Sequence, residues 1–369
     1  MNTALHERLT QFHFCFQHAL LPLKCEDLEQ SVTAPLERLL RIWEWIEIER
    51  FVPSTRGYVG RPAKDRAALA RAFVAKAVFG LTETSALVER LNADGLLRRL
   101  CGFDIRQRTR LSESLFSRAF SEFSAQGLPQ RVHEALIHNQ LKDVLVEHLS
   151  RDSTAIATRE RPVKKEPVAA APARRRGRPC QGEVRSASKT RLEQQADGMS
   201  LTNMLADLPR ACDVGSKCNA QGFKSSWIGY KLHLDVADGM IPISAIITSA
   251  SVHDSQVALP LATLSAQRIV NLYDLMDAAY CSPLIRAHSE QLGHVPVIDH
   301  NPRRGEKIHF DPPKARRFKH RTTVERVNAR LKDSFGAHRV NVRGHTKVAA
   351  HLMFAVLALT ADQLLRYLT

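Results

Sequence analysis

A chain of 369 residues, 44% hydrophobic and 25% charged, has room for two or three domains with a sizeable core, which excludes wholesale disorder. Its net charge of +15 is concentrated: residues 159–191 hold eleven Lys/Arg against three acids, residues 303–343 hold thirteen against four, and the remainder sums to −2. Two basic segments on a nearly neutral body point to a polyanion partner, nucleic acid before any other.

Seven scattered cysteines form no disulfide framework, and their odd number suits a reducing cytosol. Cys212 and Cys218 lack a second pair at zinc spacing and read as free thiols. Glu7, Arg8 and Lys24 interrupt the apolar runs near the N-terminus, so a signal peptide is not expected. These features predict a cytoplasmic protein.

From Pro35 to about Val146 the apolar spacing is helical throughout. Segments are expected over Leu36–Ile46, Ala67–Phe79 (closed by Gly80), Thr84–Leu91, Leu96–Cys101 (ending at Gly102), Ser112–Phe123 and Val132–Val146. The turn at Gly80-Leu81-Thr82 fits either a helix-turn-helix or a plain bundle, so DNA binding and dimerisation both stay open for this region. His133 and His138 stand five residues apart, about 140° round a helix, too far for a shared zinc ion. Residues 1–146 are expected to form an all-helical domain.

At Leu149 the pattern changes. Leu149–Ile156 reads as a short strand with Asp152 in its middle. A Pro/Ala/Arg tract follows, within a basic and partly disordered insertion expected over 158–225. Arg176 and Arg178 in its RGRP core resemble an AT-hook, a flat cationic segment suited to a narrow minor groove. Sequence-independent phosphate contact is the alternative.

From Trp227, WIGYKLHLDV and IPISAIIT read as a hairpin around Ala237–Met240. Lys231 and His233 share one strand face, either near DNA or on an exposed hairpin surface. Ser255–Ala266 is helical, Ile269–Met276 is a strand delivering Asp277, Ser282–Leu292 is a helix, and Val295–Ile298 is a strand. A basic loop over 303–319 leads into a helix from Thr322, where Val324, Val327, Leu331 and Phe335 form a buried stripe. Arg321, Glu325, Asn328 and Lys332 lie within about 60° of one another beside that stripe. Val348–Leu365, broken by His351 and Asp362, reads as a buried closing helix rather than a membrane span. Residues 147–369 thus read as a mixed α/β sheet flanked by helices.

Asp152, Asp277 and Glu325 form a set suited to hard divalent ions, with Arg321 and Lys332 as phosphate clamps. Asp274 faces away from Asp277 along its strand and cannot share its site. His253-Asp254 lacks the supporting ligands of a metal phosphohydrolase and reads as a loop or capping pair.

At this point the chain resembles a known family. Phe318, Arg321, Glu325 and Lys332 follow the Tyr-x2-Arg-x3-Glu-x6-Lys signature of DDE transposases of bacterial insertion sequences (the four/five-like superfamily), with Phe in place of Tyr. RDSTAI resembles that family's first-Asp strand and LYDLMDAAYCSP its second-Asp motif. CDVGSKCNAQG, WIGYKLHLDV and TSASVHDSQVALP resemble the intervening segments, and GRPAKDRAALARAFVAKAVFGLTETSALVERL the N-terminal domain. The resemblance implies an RNase H-like catalytic domain and catalytic, metal-binding Asp152, Asp277 and Glu325. It also implies two Mg²⁺ or Mn²⁺ ions and metal-dependent endonuclease and strand-transfer action on the terminal inverted repeats and target DNA, by a homo-oligomer, expected to be a dimer. Phe318 keeps the ring and loses the hydroxyl. The 48 positions from Asp277 to Glu325 leave no room for a large inserted domain. A catalytically inactive DNA-binding descendant and a nuclease that cuts without joining are the alternatives.

Overall fold

The computed structural model describes residues 32–53, 65–103, 110–163, 189–218, 221–302 and 306–368. Arg176 and Arg178, and most of the basic tract around them, lie outside these residues.

Among the described residues, six α-helices come first: α1 (Ala34–Ile46), α2 (Arg66–Val78), α3 (Thr84–Ala93), α4 (Gly95–Cys101), α5 (Glu113–Ala125) and α6 (Leu128–Leu141). Asp65 caps α2 by accepting from the amides of Ala67 and Ala68, and Asp94 caps α4 through Leu97. From Ala68 to Val78 every residue of α2 except Arg71 is buried, as an interior helix should be. The turn after it packs backbone to backbone on the end of a later helix: a Cβ on Gly336, whose φ is +73°, would lie 3.2 Å from the Leu81 carbonyl oxygen. That contact seats the turn against the later helix, while Gly80, Leu81 and Thr82 stay half-buried. Helix α6 stops at Leu141, and Val146 already belongs to the first strand, so the sixth helix ends sooner than its periodicity suggests.

The sheet comprises β1 (Leu145–Thr158), β2 (Asp213–Cys218), β3 (Lys224–Ala237), β4 (Ile241–Ser249), β5 (Val270–Met276), β6 (Val295–Ile298) and β7 (Arg339–Val340). Its main order is β4-β3-β1-β5-β6, with β3 antiparallel to both β1 and β4 and the β1–β5 and β5–β6 pairs parallel. Three antiparallel strands followed by two parallel ones, with helices packed on them, is the expected RNase H-like architecture. Strand β2 pairs with the first half of β3, and β7 with the end of β1. Between β1 and β2 the chain is not featureless: α7 (Arg191–Ala196), with a Thr190/Glu193 capping box, and α8 (Leu201–Asp207) are built inside the expected insertion.

Then come α9 (Ala258–Ala266), α10 (Pro283–Gln291), α11 (Pro312–Phe318), α12 (Thr322–Ser334) and α13 (His345–Leu368). The basic loop therefore contains a short helix, started by Asp311 and two prolines at its first positions. Helix α13 is long and apolar enough to cross a membrane, but 94% of its most apolar window is buried inside the protein. It packs on α1, α2, α5 and α6 and also on β4, so one continuous apolar core serves the helices and the sheet. Two buried polar links reinforce this. The Lys76 ammonium donates to the Thr82 carbonyl (2.9 Å) and lies 3.2 Å from His351 Nδ1, while His133 Nε2 sits 3.1 Å from the Pro242 carbonyl oxygen. His133 is thus a core residue.

Candidate active site

Strand pairing places the first two acids. Arg151 on β1 lies beside Met276 on β5 in parallel register, so Asp152 and Asp277 follow as the next residues of adjacent strands. Side chains alternate across β1. Ser150 reaches the His320 carbonyl oxygen at 3.2 Å, on the α12 side, and Asp152 faces the same way, with the Asn328 amide 3.5 Å from its carboxylate. Arg151 faces the other side. Its guanidinium grips Asp235 with two bonds of 2.8 Å, and Ser265 of α9 donates to the same carboxylate at 2.7 Å. Asp274 is also buried on that far side, held by Asn271, Ser289 and His294, and takes no part.

Asp277 ends β5 and caps the following turn, accepting from the Ala279 amide at 2.9 Å. Helix α12 packs against β1 and carries Glu325, whose carboxylate accepts from Arg321 one turn earlier. Arg321 stacks over Phe318 at 5.7 Å, and Phe318 leans on Phe310 at 4.9 Å. An aromatic ring without a hydroxyl suffices as that platform.

Electrostatics tie the two aspartates to the cations around them. Burial pushes the Asp152 carboxyl up to about 6 despite the Ser153 amide, and the nearby charge of Asp277 pushes the same way, while Arg321 and Lys217 oppose it. Burial also raises Asp277, again opposed by the Ala279 amide, Arg321 and Lys217. The Lys332 ammonium is lowered by burial and then by Lys217. Asp152 and Asp277, faced by three cations, can take a divalent ion with phosphate oxygens; Glu325 stands exposed on α12, and the ligand oxygens of the three acids do not all lie within 4.8 Å of one another.

Not every sequence expectation survives. His233 has no exposed surface; its Nε2 lies 2.9 Å from the Thr248 hydroxyl, and burial lowers its ring to about 4. Lys231 is bound to the Val252 carbonyl (2.8 Å) and to Asp254 (2.9 Å). The hairpin face they share is therefore interior, because α9 and the turn over Asp254–Val257 pack on that face of the sheet, and His233 has nothing to offer DNA. His253 does cap the turn over Asp254–Val257, accepting from the Ser255 amide. Asp254 is more than a loop residue: burial alone would raise its carboxyl, but His233, Lys231 and a Ser153 hydrogen bond hold it below the usual range, and its charge bears on Asp277. Lys217 and Asp254 were missed as site residues, although both lie in segments whose resemblance was legible.

Two family models match. A transposase DDE domain covers residues 210–361, which include Asp277 and Glu325, and a second transposase domain covers residues 24–122. The chain belongs to the DDE transposases. No curated protein matches it. The transposase is accordingly a DNA-cleaving and strand-transferring enzyme that moves an insertion element, and its family works with divalent metal ions. Neither the inactive descendant nor the cutting-only nuclease is favoured by these matches.

Proposed function

We propose that Asp152, Asp277 and Glu325 are the transposase's catalytic carboxylates and hold two Mg²⁺ or Mn²⁺ ions. The supporting observation is the register that makes Asp152 and Asp277 the next residues of adjacent parallel strands, with Glu325 on the helix packed alongside. An all-oxygen donor set of this kind fits hard divalent ions, which when bound activate a water or 3′-hydroxyl and stabilise the leaving oxygen. Asn328 orients the Asp152 carboxylate. Arg321, seated on Phe318, holds Glu325 until a DNA phosphate competes for its guanidinium, and Lys332 and Lys217 clamp neighbouring phosphates. Asp254, neutralised by Lys231, buttresses the β1 and β5 ends from behind.

On this reading the substrates are terminal-inverted-repeat and target duplexes in the cytoplasm, and the working species is a dimer. Arg176 and Arg178 add phosphate or minor-groove contacts. The test is cleavage of a terminal-repeat duplex with Mg²⁺ or Mn²⁺. Glu325→Gln should abolish nicking and joining while leaving DNA binding intact; retained cleavage would remove Glu325 from the site.

A further inference from the structure

A second cluster of donor atoms lies near the start of β1. Among the described residues, His148, Asp238 and His320 are the one set of His, Cys and acid side chains whose ligand atoms all lie within 4.8 Å of one another. They come from three elements: β1, the β3–β4 turn, and the turn that leads into α12. His148 is 4% exposed, and neither of its ring nitrogens has a hydrogen-bond partner; the exposed Glu147 carboxylate stands 3.6 Å from Nε2. A buried imidazole with both nitrogens unsatisfied is costly, and such a group calls for an occupant. Its Nδ1 lies 3.4 Å from Asp238 Oδ1, and His320 Nδ1 lies 3.9 Å from the same oxygen. Two ligands on a tetrahedral zinc ion, each at about 2.1 Å, stand about 3.4 Å apart, so these separations are close to a coordination edge. Asp238 is itself fixed, because its other oxygen accepts from the His148 amide at 2.8 Å.

We propose that His148, Asp238 and His320 form a site for a borderline divalent transition ion of the zinc type, separate from the carboxylate site. Two imidazoles and one carboxylate suit zinc and disfavour magnesium, which takes oxygen donors. The His148 and His320 rings are stacked at 4.4 Å with 7° between their planes. Parallel rings at that separation cannot both aim a lone pair at one ion, so His320, which is exposed, turns its ring on binding; water completes the shell. Arg317, which covers the Tyr273 ring at 4.5 Å, is the nearby cation that the ion must tolerate, since Tyr273 stacks on His148.

The location gives the ion a regulatory task. His148 stands four residues before Asp152 on the same face of β1, and His320 directly precedes Arg321. Occupancy clasps the start of α12 to the sheet, setting where Arg321 and Glu325 stand.

The test uses the full chain carrying Asp152→Asn and Glu325→Gln, so that the carboxylate site does not report. After chelator stripping, Zn²⁺ is titrated calorimetrically, and Co²⁺ is followed by visible absorption. One equivalent of Zn²⁺ and an intense low-symmetry Co²⁺ spectrum are expected. Adding His320→Ala, or separately Asp238→Asn, should weaken Zn²⁺ at least tenfold. No uptake, or uptake undiminished in both added variants, overturns the site. Because the catalytic acids are already disabled, neither result bears on the carboxylate assignment.

Discussion

Replacing Asp152 by Asn should disable the enzyme and stabilise the metal-free protein. The carboxyl is held at about 6 against an ordinary 3.8, chiefly by burial. A raised acid binds its proton more tightly in the folded state, so this group's stability contribution is fully present below 3.8 and is lost as pH rises through about 6. Above that window the ionised carboxylate costs the metal-free fold about 3 kcal/mol, an upper bound for a gap of about two pH units. Asn keeps the shape and a polar contact to Asn328 without the charge. Urea unfolding in chelator at pH 7 should therefore show the variant about 1–3 kcal/mol more stable than the wild type, with the gain shrinking towards zero by about pH 4. Mn²⁺ at a thousandfold excess over its Kd should reverse the order, since it adds about 4 kcal/mol to the wild type alone. A variant less stable than wild type at pH 7, or a gain independent of pH, would refute the idea that the site is strained by an unneutralised buried carboxylate.

Metal affinity should follow the same group: Mn²⁺ binding, measured by calorimetry, should weaken as pH falls through about 6, because protonated Asp152 is no ligand. Asp235→Ala should lower stability by about 3–5 kcal/mol, because it leaves the Arg151 guanidinium, 2% exposed, without its anion; denaturant unfolding checks it. Gly229→Ala should cost at least about 2 kcal/mol and disorder the β1–β3 pairing beyond Asp152, since its Cβ would sit 2.1 Å from the Ile156 carbonyl oxygen; thermal unfolding and cleavage rate report it. Arg321→Ala should weaken DNA binding and reduce its salt dependence by about one phosphate contact, read from binding isotherms at several salt concentrations.

The sequence alone determined the helical half, most strands to within a few residues, and the order of the three acids, because apolar period and strand-end position are local properties. Alternation along a strand, enforced by the backbone, showed that Asp274 and Asp277 cannot share a site, and the resemblance of LYDLMDAAYCSP to the second-Asp motif selected Asp277. What it could not decide was which polar residues face inward. Lys231 and His233 alternate like an exposed hairpin face, and only α9 and the turn before it, packed on the sheet, make that face interior. Lys217 and Asp254 reach the acids through pairing and packing between distant segments, as does the His148–Asp238–His320 cluster, whose members lie as far as 172 positions apart. Such convergence is fixed by strand register and helix docking, and those depend on how the whole core closes around α13.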